Sequence, residues 1–172
     1  MQCTVRNETQ FDIIYQDNYF DSGTYYEAPP QKIDKFSHGN FSACNKWGLA
    51  GMSGGNWWKL ILDDKNVFKF SLVRCFLFTP RIESELAHMF SCQGYTDPVI
   101  GSRKSAAVES DGDPKDGYNA ATERGASGRS TFYKGVDKDG NETWFLIEVT
   151  SVTGHHSVFT VRQNEIKGWQ DP

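Results

Sequence analysis

The chain has 172 residues, of which 14% are aromatic, and its formal net charge is −4. That length is typical of a single domain, and the aromatic content favours pleated sheets. The acidic balance excludes the basic surface that nucleic-acid binding requires, and no polybasic segment is present to attract anionic lipids. No run of about 18 or more apolar residues occurs, so no helix is predicted to span a membrane.

The first third of the chain alternates short apolar segments with turn residues. Strands are predicted over residues 2–6, 11–20, 24–27 and 33–42. Two successive prolines, Pro29 and Pro30, follow the third strand and end it, because proline cannot donate to a ladder of hydrogen bonds. The small-residue segment 48–55 is typical of places where the backbone bends or packs closely.

A hairpin is the clearest element in the middle of the chain. Its two strands are predicted on either side of a polar Asp-Asp-Lys-Asn loop, over residues 56–62 and 67–78. In the second strand Phe68, Phe70 and Leu72 share one face, because strand residues alternate between faces. That face is predicted to be buried.

Residues 79–130 are predicted to form an insertion between the strands. Thr79 and Pro80 suit the N-cap and first position of a short helix, which is predicted over about residues 80–90. From 93 to 130 the sequence is rich in Gly, Ser and Asp and has hardly any apolar period, which predicts a long functional or flexible loop. Within it, residues 105–130 are expected to be the most mobile.

The last part of the chain returns to strands. They are predicted over residues 131–136, 143–152 and 157–163, followed by a loose tail over 164–172. The whole pattern predicts a mostly β protein, a single-domain antiparallel β-sandwich over residues 1–172 with at most one short helix and a long polar loop.

One segment has the oxygen-donor spacing of an EF-hand loop. Asp137, Asp139, Asn141 and Glu148 occupy its first, third, fifth and twelfth positions. However, the sixth position is Glu142, where the tight turn needs glycine, and strands rather than helices are predicted on both sides. A hairpin turn without a metal explains the same residues, and no metal or cofactor is predicted.

Other clusters of reactive residues are explained without catalysis. Asp111, Asp113 and Asp116 lie in the most polar segment and are predicted to belong to a solvated loop. His155 and His156 are neighbours in a predicted strand, so their rings point to opposite faces and are not expected to share a metal. No nucleophile elbow, P-loop or dinucleotide-binding motif is present. The sequence therefore predicts a binding protein and not an enzyme.

The cysteines and sequons do not decide between a secreted and a cytoplasmic location for the protein. Four cysteines, at 3, 44, 75 and 92, form no CxxC pair, and four free thiols and two disulfides are both compatible with their spacing. Three sequons begin at residues 7, 40 and 141. The start of the chain lacks the apolar core of a signal peptide, so a secreted location without a visible signal and a cytoplasmic one are both retained as expectations.

The adjacent pair Trp57-Trp58 is the most unusual local feature. In a strand, one of the two rings is expected to face the core and the other the outside. With Trp47, Tyr25 and Tyr26 they supply large amphipathic rings that suit a sugar face or a lipid interface. These five residues are the predicted ligand- or membrane-binding set.

The order of several short motifs resembles a known family. The motifs are Asp21-Ser22-Gly23-Thr24-Tyr25, Ala28-Pro29-Pro30-Gln31-Lys32-Ile33, Phe41-Ser42-Ala43-Cys44, and the glycine-rich segment 48–55 before a strand. Together they resemble the opening half of the aegerolysins, small β-sandwich proteins that bind membrane sphingolipids, several of which assemble pores with a partner protein. The segment Asn18-Tyr19-Phe20-Asp21-Ser22-Gly23-Thr24 also looks like the actinoporins, pore formers with a related sandwich.

The resemblance implies a cytolysin-like protein that recognises the head groups of sphingolipid-type membrane lipids, with a pore-forming protein as a partner. It covers roughly residues 3–75. The amphipathic N-terminal helix of actinoporins has no counterpart before the strand at Gln2, so pore formation without a partner is not expected. Two alternatives stay open: a lectin-like sandwich that uses the same rings against sugars, and a secreted effector with a protein target.

Overall fold

The structure is a computed structural model in which nearly all described residues belong to β-strands or to the turns between them. It describes residues 2–44, 52–62, 67–79, 88–93, 105–109, 115, 128–130, 132–137, 139–152 and 156–166. The strands in chain order are β1 (Gln2–Glu8), β2 (Ile13–Ser22), β3 (Thr24–Glu27), β4 (Lys32–Ile33), β5 (His38–Cys44), β6 (Met52–Ile61), β7 (Val67–Thr79), β8 (His88–Gln93), β9 (Ser105–Glu109), β10 (Gly128–Arg129), β11 (Tyr133–Val136), β12 (Glu142–Val152) and β13 (His156–Ile166).

These strands form two sheets. The larger has the order β10-β12-β13-β1-β5-β3, with β11 beside β10 along the outer edge of β12. The smaller has the order β4-β2-β6-β7-β8, with β9 also paired to β7. All these pairs are antiparallel except β1 with β13, which run parallel. The predicted β-sandwich is confirmed.

The core lies between the two sheets and follows the alternation of the strands. In the smaller sheet Trp58 and Leu60 of β6 are opposite Phe70 and Phe68 of β7, and all four are buried. The larger sheet contributes Val5, Phe41, Ile147, Val149, Phe159 and Val161. Trp58 is 0% exposed and its ring meets that of Tyr15 edge-on at 5.2 Å.

Gly54 shows why the glycine-rich segment before the hairpin is needed. A Cβ atom at this position would lie 2.7 Å from the ring of Phe20 and 2.7 Å from the carbonyl oxygen of Tyr19. Only glycine allows β6 to pass this close to β2. The expected close packing is therefore confirmed at Gly54, while residues 48–51 lie outside the described residues.

Several predicted boundaries are wrong. The helix predicted to about residue 90 is replaced over its last residues by β8, which pairs with the second half of β7. The loop predicted over 93–130 contains β9, which pairs with the first half of β7. Residues 70–79 of β7 find backbone partners in these two segments, and this pairing overrides the local sequence pattern of the insertion. Apart from Lys115 and residues 128–130, the rest of that insertion, including the acidic cluster at 111, 113 and 116, lies outside the described residues.

Two further differences concern the ends of strands. The strand predicted over 33–42 is divided into β4 and β5, because each pairs with a different sheet. The first three residues of the predicted loose tail extend β13, where they pair with residues 144–146 of β12.

Two of the four cysteines have described side chains, and both are free thiols. Cys3 is buried in the core and Cys44 is half-buried at the end of β5. The register of β7 and β8 places Cys75 opposite Cys92 along the backbone.

The two adjacent tryptophans are expected to differ in their effect on stability. Replacing Trp58 by Ala removes a fully buried ring and should lower the free energy of unfolding by about 3–5 kcal/mol. Replacing Trp57, which is half-buried on the outer face of the same strand, should cost about 1 kcal/mol or less. Urea unfolding of both variants tests this prediction. Equal decreases in the free energy of unfolding would show that the two rings are wrongly assigned to the inner and outer faces of β6.

Candidate functional site

The predicted aromatic set does not gather on one surface. Trp58 belongs to the core rather than to a binding surface. Trp57 lies on the outer face of the smaller sheet, with the ammonium of Lys69 5.9 Å from its ring centre. Tyr26 lies on β3 of the larger sheet and is 83% exposed. Trp47 lies outside the described residues.

Tyr25 joins the two sheets and is not a surface ring. Its hydroxyl donates to Oδ1 of Asn56 in the smaller sheet and lies 3.4 Å from the hydroxyl of Tyr15. Its ring packs edge-on against Phe20 and Phe41 at 4.8 and 6.2 Å. Burial raises the pKa of Tyr25, so its phenol stays protonated and remains a donor. A role for Trp57 and Tyr26 in binding stays a prediction.

The segment with EF-hand spacing is a hairpin turn between β11 and β12. The carboxylate of Asp137 accepts hydrogen bonds from the backbone N–H groups of Asp139 and Asn141, both at 2.8 Å. Gly140 has φ +87°, which closes the turn. Glu148 instead lies opposite Arg162 in the register of β12 and β13, and its carboxylate accepts a hydrogen bond from the amide of Asn164 at 3.3 Å. No cluster of metal ligands is found among the described residues.

A group of exposed apolar side chains lies at one end of the sandwich. We call these four residues the apolar rim: Phe36, Ile61, Val67 and Val136. Ile61 is the last residue of β6 and Val67 the first residue of β7. Val136 ends β11, and Phe36 lies in the loop between β4 and β5. The exposed fractions of these four side chains run from 46% to 72%. A groove of about 740 Å³ separates Phe36 from Val136, and one of about 370 Å³ extends from the neighbouring Lys35 to Ile61. Ile61 and Val67 are cross-strand partners.

Phe36 is the most exposed member of the rim and has an unusual backbone. It is 72% exposed, and its φ of +52° is in the left-handed region, where a bulky side chain is rare. Such a conformation persists only when the surrounding structure holds it, and it is often associated with function. Here the N–H of Phe36 donates to the carbonyl of Thr9 at 3.2 Å.

Asn7 is the residue that holds the Phe36 loop. Its amide nitrogen donates to the carbonyls of Phe11 at 2.7 Å and Asp34 at 3.0 Å, with a weaker contact to Ile33 at 3.4 Å. Its amide oxygen accepts from the N–H and the hydroxyl of Thr9. The backbone N–H of Asn7 also donates to the carbonyl of Ser37. The sequon at Asn7 therefore has a buried, fully engaged amide and offers no acceptor for a glycan in the folded state.

A set of ion pairs on the surface supports the same loop. Asp12 accepts from the backbone N–H of Lys35 at 3.1 Å and pairs with Lys32 at 3.3 Å. Lys32 also pairs with Asp34 at 2.6 Å. The hydrogen bond from Lys35 lowers the pKa of Asp12, and the pairing with Asp34 and Asp12 raises that of Lys32.

The larger groove beside Phe36 is acidic. Its charged lining residues are Glu8, Lys35, Asp137, Asp139 and Glu165. Glu8 is paired with Arg162 at 2.7 Å, so three carboxylates against the ammonium of Lys35 leave the groove with a negative potential that disfavours anionic ligands. Phe36 and Phe145 supply its aromatic part.

Comparison with known proteins gives only distant likenesses. No protein-family model matches the sequence and no curated protein matches it, so the aegerolysin and actinoporin likeness stays a resemblance. Among solved structures, the lipid-binding protein Nakanori aligns with a TM-score of 0.48 and 9% identity, over 95% of this chain and 69% of that one. The Xerocomus chrysenteron lectin XCL aligns with a TM-score of 0.33 and 13% identity, over 95% of this chain and 98% of that one. At these scores neither carries an argument about function.

Sequence reasoning missed the apolar rim because its members are far apart along the chain. The sequence pattern places Phe36 in a predicted strand, and the segment after Val136 is marked only by its metal-ligand spacing and its turn residues. One local signal was present: Phe36 is flanked by polar residues on both sides, between two short apolar segments. That pattern is typical of an exposed loop tip, not of a paired strand.

Asn7 is expected to be essential for stability. Its replacement by Ala leaves carbonyls of two loops without a donor, so the free energy of unfolding should fall by at least about 2 kcal/mol. The matched control is Asn40→Ala, which removes an exposed amide and should cost well under half as much. Thermal or urea unfolding measures both, and similar losses would contradict this role for Asn7.

Asp12 is expected to make the Phe36 loop sensitive to acid. Because its pKa is lowered in the folded state, its contribution is complete above the ordinary value of 3.8 and is lost as the pH falls through the folded value. In Asp12→Asn that contribution is absent at every pH. The stability advantage of the parent over the variant should therefore shrink between about pH 5 and about pH 3. A difference that stays constant over this range would contradict the assignment.

Proposed function

We propose that this protein binds membrane-lipid surfaces through the apolar rim and does not act as an enzyme. The observation that carries the proposal is Phe36, a mostly exposed aromatic in a left-handed conformation on a loop that the hydrogen bonds of buried Asn7 hold in place. An exposed apolar ring on a rigid loop is suited to insertion at a lipid interface, where aromatic side chains are favoured.

The free energy gained by burying the rim side chains is in the range of reversible membrane binding. Complete burial of a large apolar side chain is worth about 1.5–3 kcal/mol, and the four rim residues are each roughly half exposed. Their insertion therefore supplies on the order of 3–6 kcal/mol, similar to the marginal membrane affinity of one myristoyl chain. Contacts with head groups must add to this for stable attachment.

The acidic groove beside Phe36 suggests which head groups are recognised. Its carboxylates repel anionic lipids, whereas a quaternary ammonium is attracted both by the carboxylates and by an aromatic face. Phe36, which is 72% exposed, provides such a face in the groove lining. This favours zwitterionic lipids of the sphingolipid type, which the aegerolysin resemblance also implies.

The resemblance extends the proposal to a role in a pore-forming system with a partner protein. Within the described ranges, no helix has the length and hydrophobicity to cross a bilayer. Dye release from vesicles, with binding measured in parallel, tests this extension apart from binding itself. Binding without release by the protein alone is the expected result.

Vesicle sedimentation with rim variants tests the proposal. Phe36→Asn is the most informative variant, because Asn tolerates the left-handed backbone and removes only the apolar ring. It should fold like the parent and bind zwitterionic vesicles about ten-fold or more weakly. Val152→Ala is the control, since Val152 is 61% exposed but lies at the far end of β12. Parent-like binding by Phe36→Asn would overturn the proposal.

The dependence on salt separates insertion from attraction by charge. Affinity for zwitterionic vesicles should hardly fall when salt rises from low to physiological concentration, because screening weakens exposed charge pairs but not apolar burial. Vesicles of anionic lipid should bind more weakly at low salt than zwitterionic ones. A steep loss of binding with salt would contradict the apolar mechanism.

A further inference from the structure

A second recess lies at the opposite end of the larger sheet from the apolar rim. We call it the polar pocket; it has a volume of about 240 Å³ and is lined by Gln2, Cys3, Glu27, Asn40, Phe41 and His156. Gln2 and His156 are cross-strand partners at the start of β1 and β13. The Phe36 loop lies beyond the other end of β1, about 20 Å away at the rise of a strand.

Three side chains from three strands form a hydrogen-bonded row, and two of them, Asn40 and His156, line this pocket. The hydroxyl of Thr4 donates to Oδ1 of Asn40 at 2.7 Å and lies 2.6 Å from Nε2 of His156. Because a hydroxyl has one proton, which goes to Asn40, Nε2 of His156 must be the donor in the second contact. In the neutral ring, Nδ1 is then an acceptor.

These hydrogen bonds fix the orientation of polar groups that can contact a ligand. The amide of Asn40, oriented through its oxygen, presents two N–H donors, and the Nδ1 acceptor of His156 is held by the bond at Nε2. Both side chains are exposed, as is the carboxylate of Glu27. Donors and acceptors at fixed positions match the hydroxyl groups of a sugar, each of which can both donate and accept.

The charge and size of the pocket narrow the class of ligand. Among the described residues that line it, Glu27 is the one that carries a formal charge, so a sialylated or sulfated sugar would meet its carboxylate without a cation from these residues. The volume is below the roughly 300–1,000 Å³ of sites for drug-sized ligands and suits a single ring. Tyr26, beside Glu27 in β3, supplies an exposed aromatic ring for the apolar face of a pyranose.

We infer that the polar pocket binds a neutral sugar through Asn40, His156 and Glu27, with Tyr26 as a stacking platform. This site is separate from the apolar rim and does not depend on lipid binding. Both can be occupied at once, because they lie at opposite ends of β1.

The experiment begins with an array of neutral and acidic glycans. Protein made in a bacterial host is used, so that Asn40, which starts a sequon, carries no glycan of its own. Neutral glycans should be retained, and the affinity for the best of them is then measured by calorimetry. Retention of no glycan, or of acidic glycans alone, would overturn the inference.

Matched variants locate the bound sugar. His156→Ala should weaken binding about ten-fold or more with unchanged thermal stability, while His38→Ala, an exposed histidine on the same sheet face outside the pocket, should bind like the parent. Tyr26→Ala should also lose about ten-fold, and Phe36→Asn should bind the sugar normally. Parent-like binding by His156→Ala, or a loss confined to Phe36→Asn, would show that the sugar binds elsewhere.

Discussion

Asn7 donates from its amide nitrogen to carbonyls in the β1–β2 and β4–β5 loops, and it accepts at its amide oxygen from Thr9. A buried amide satisfied in this way is costly to disturb, because loss of the side chain leaves several backbone groups unpaired away from water. The two loops therefore move as one unit with β1. Phe36, at the tip of this unit, keeps an exposed position and a left-handed backbone that its own side chain would not favour.

The sandwich uses the two ends of β1 for different surfaces. At the end of β1, loop residues fixed from inside present apolar side chains and an acidic groove. At its start, outward-facing polar residues of three adjacent strands form a hydrogen-bonded row. Strand alternation explains both, since the inward-facing residues of β1 belong to the core or to the Asn7 network and the outward-facing ones lie on the outer face of the sheet. A membrane-bound molecule could thus keep its polar pocket facing the solvent.

The sequence predicted the sheets well, because period-two patterns such as that of residues 68–72 depend on local alternation. It failed for β8 and β9, whose pairing is decided by the free edge of β7 and not by their own composition. The predicted aromatic set depends on residue type, which does not distinguish a ring in contact between the sheets, such as Tyr25, from an exposed one. The rim and the polar pocket depend on residues distant in sequence, and no local pattern marks their contacts.

The orientation of the protein on a bilayer is the most direct test of the apolar rim. Spin-labelled lipids in zwitterionic bicelles broaden the backbone amide signals of residues close to the membrane. The rim mechanism predicts strong broadening at Phe36, Ile61 and Val136, with the signals of Tyr26 and Val152 preserved. Broadening at Tyr26 and Val152 with an unaffected Phe36 would contradict it.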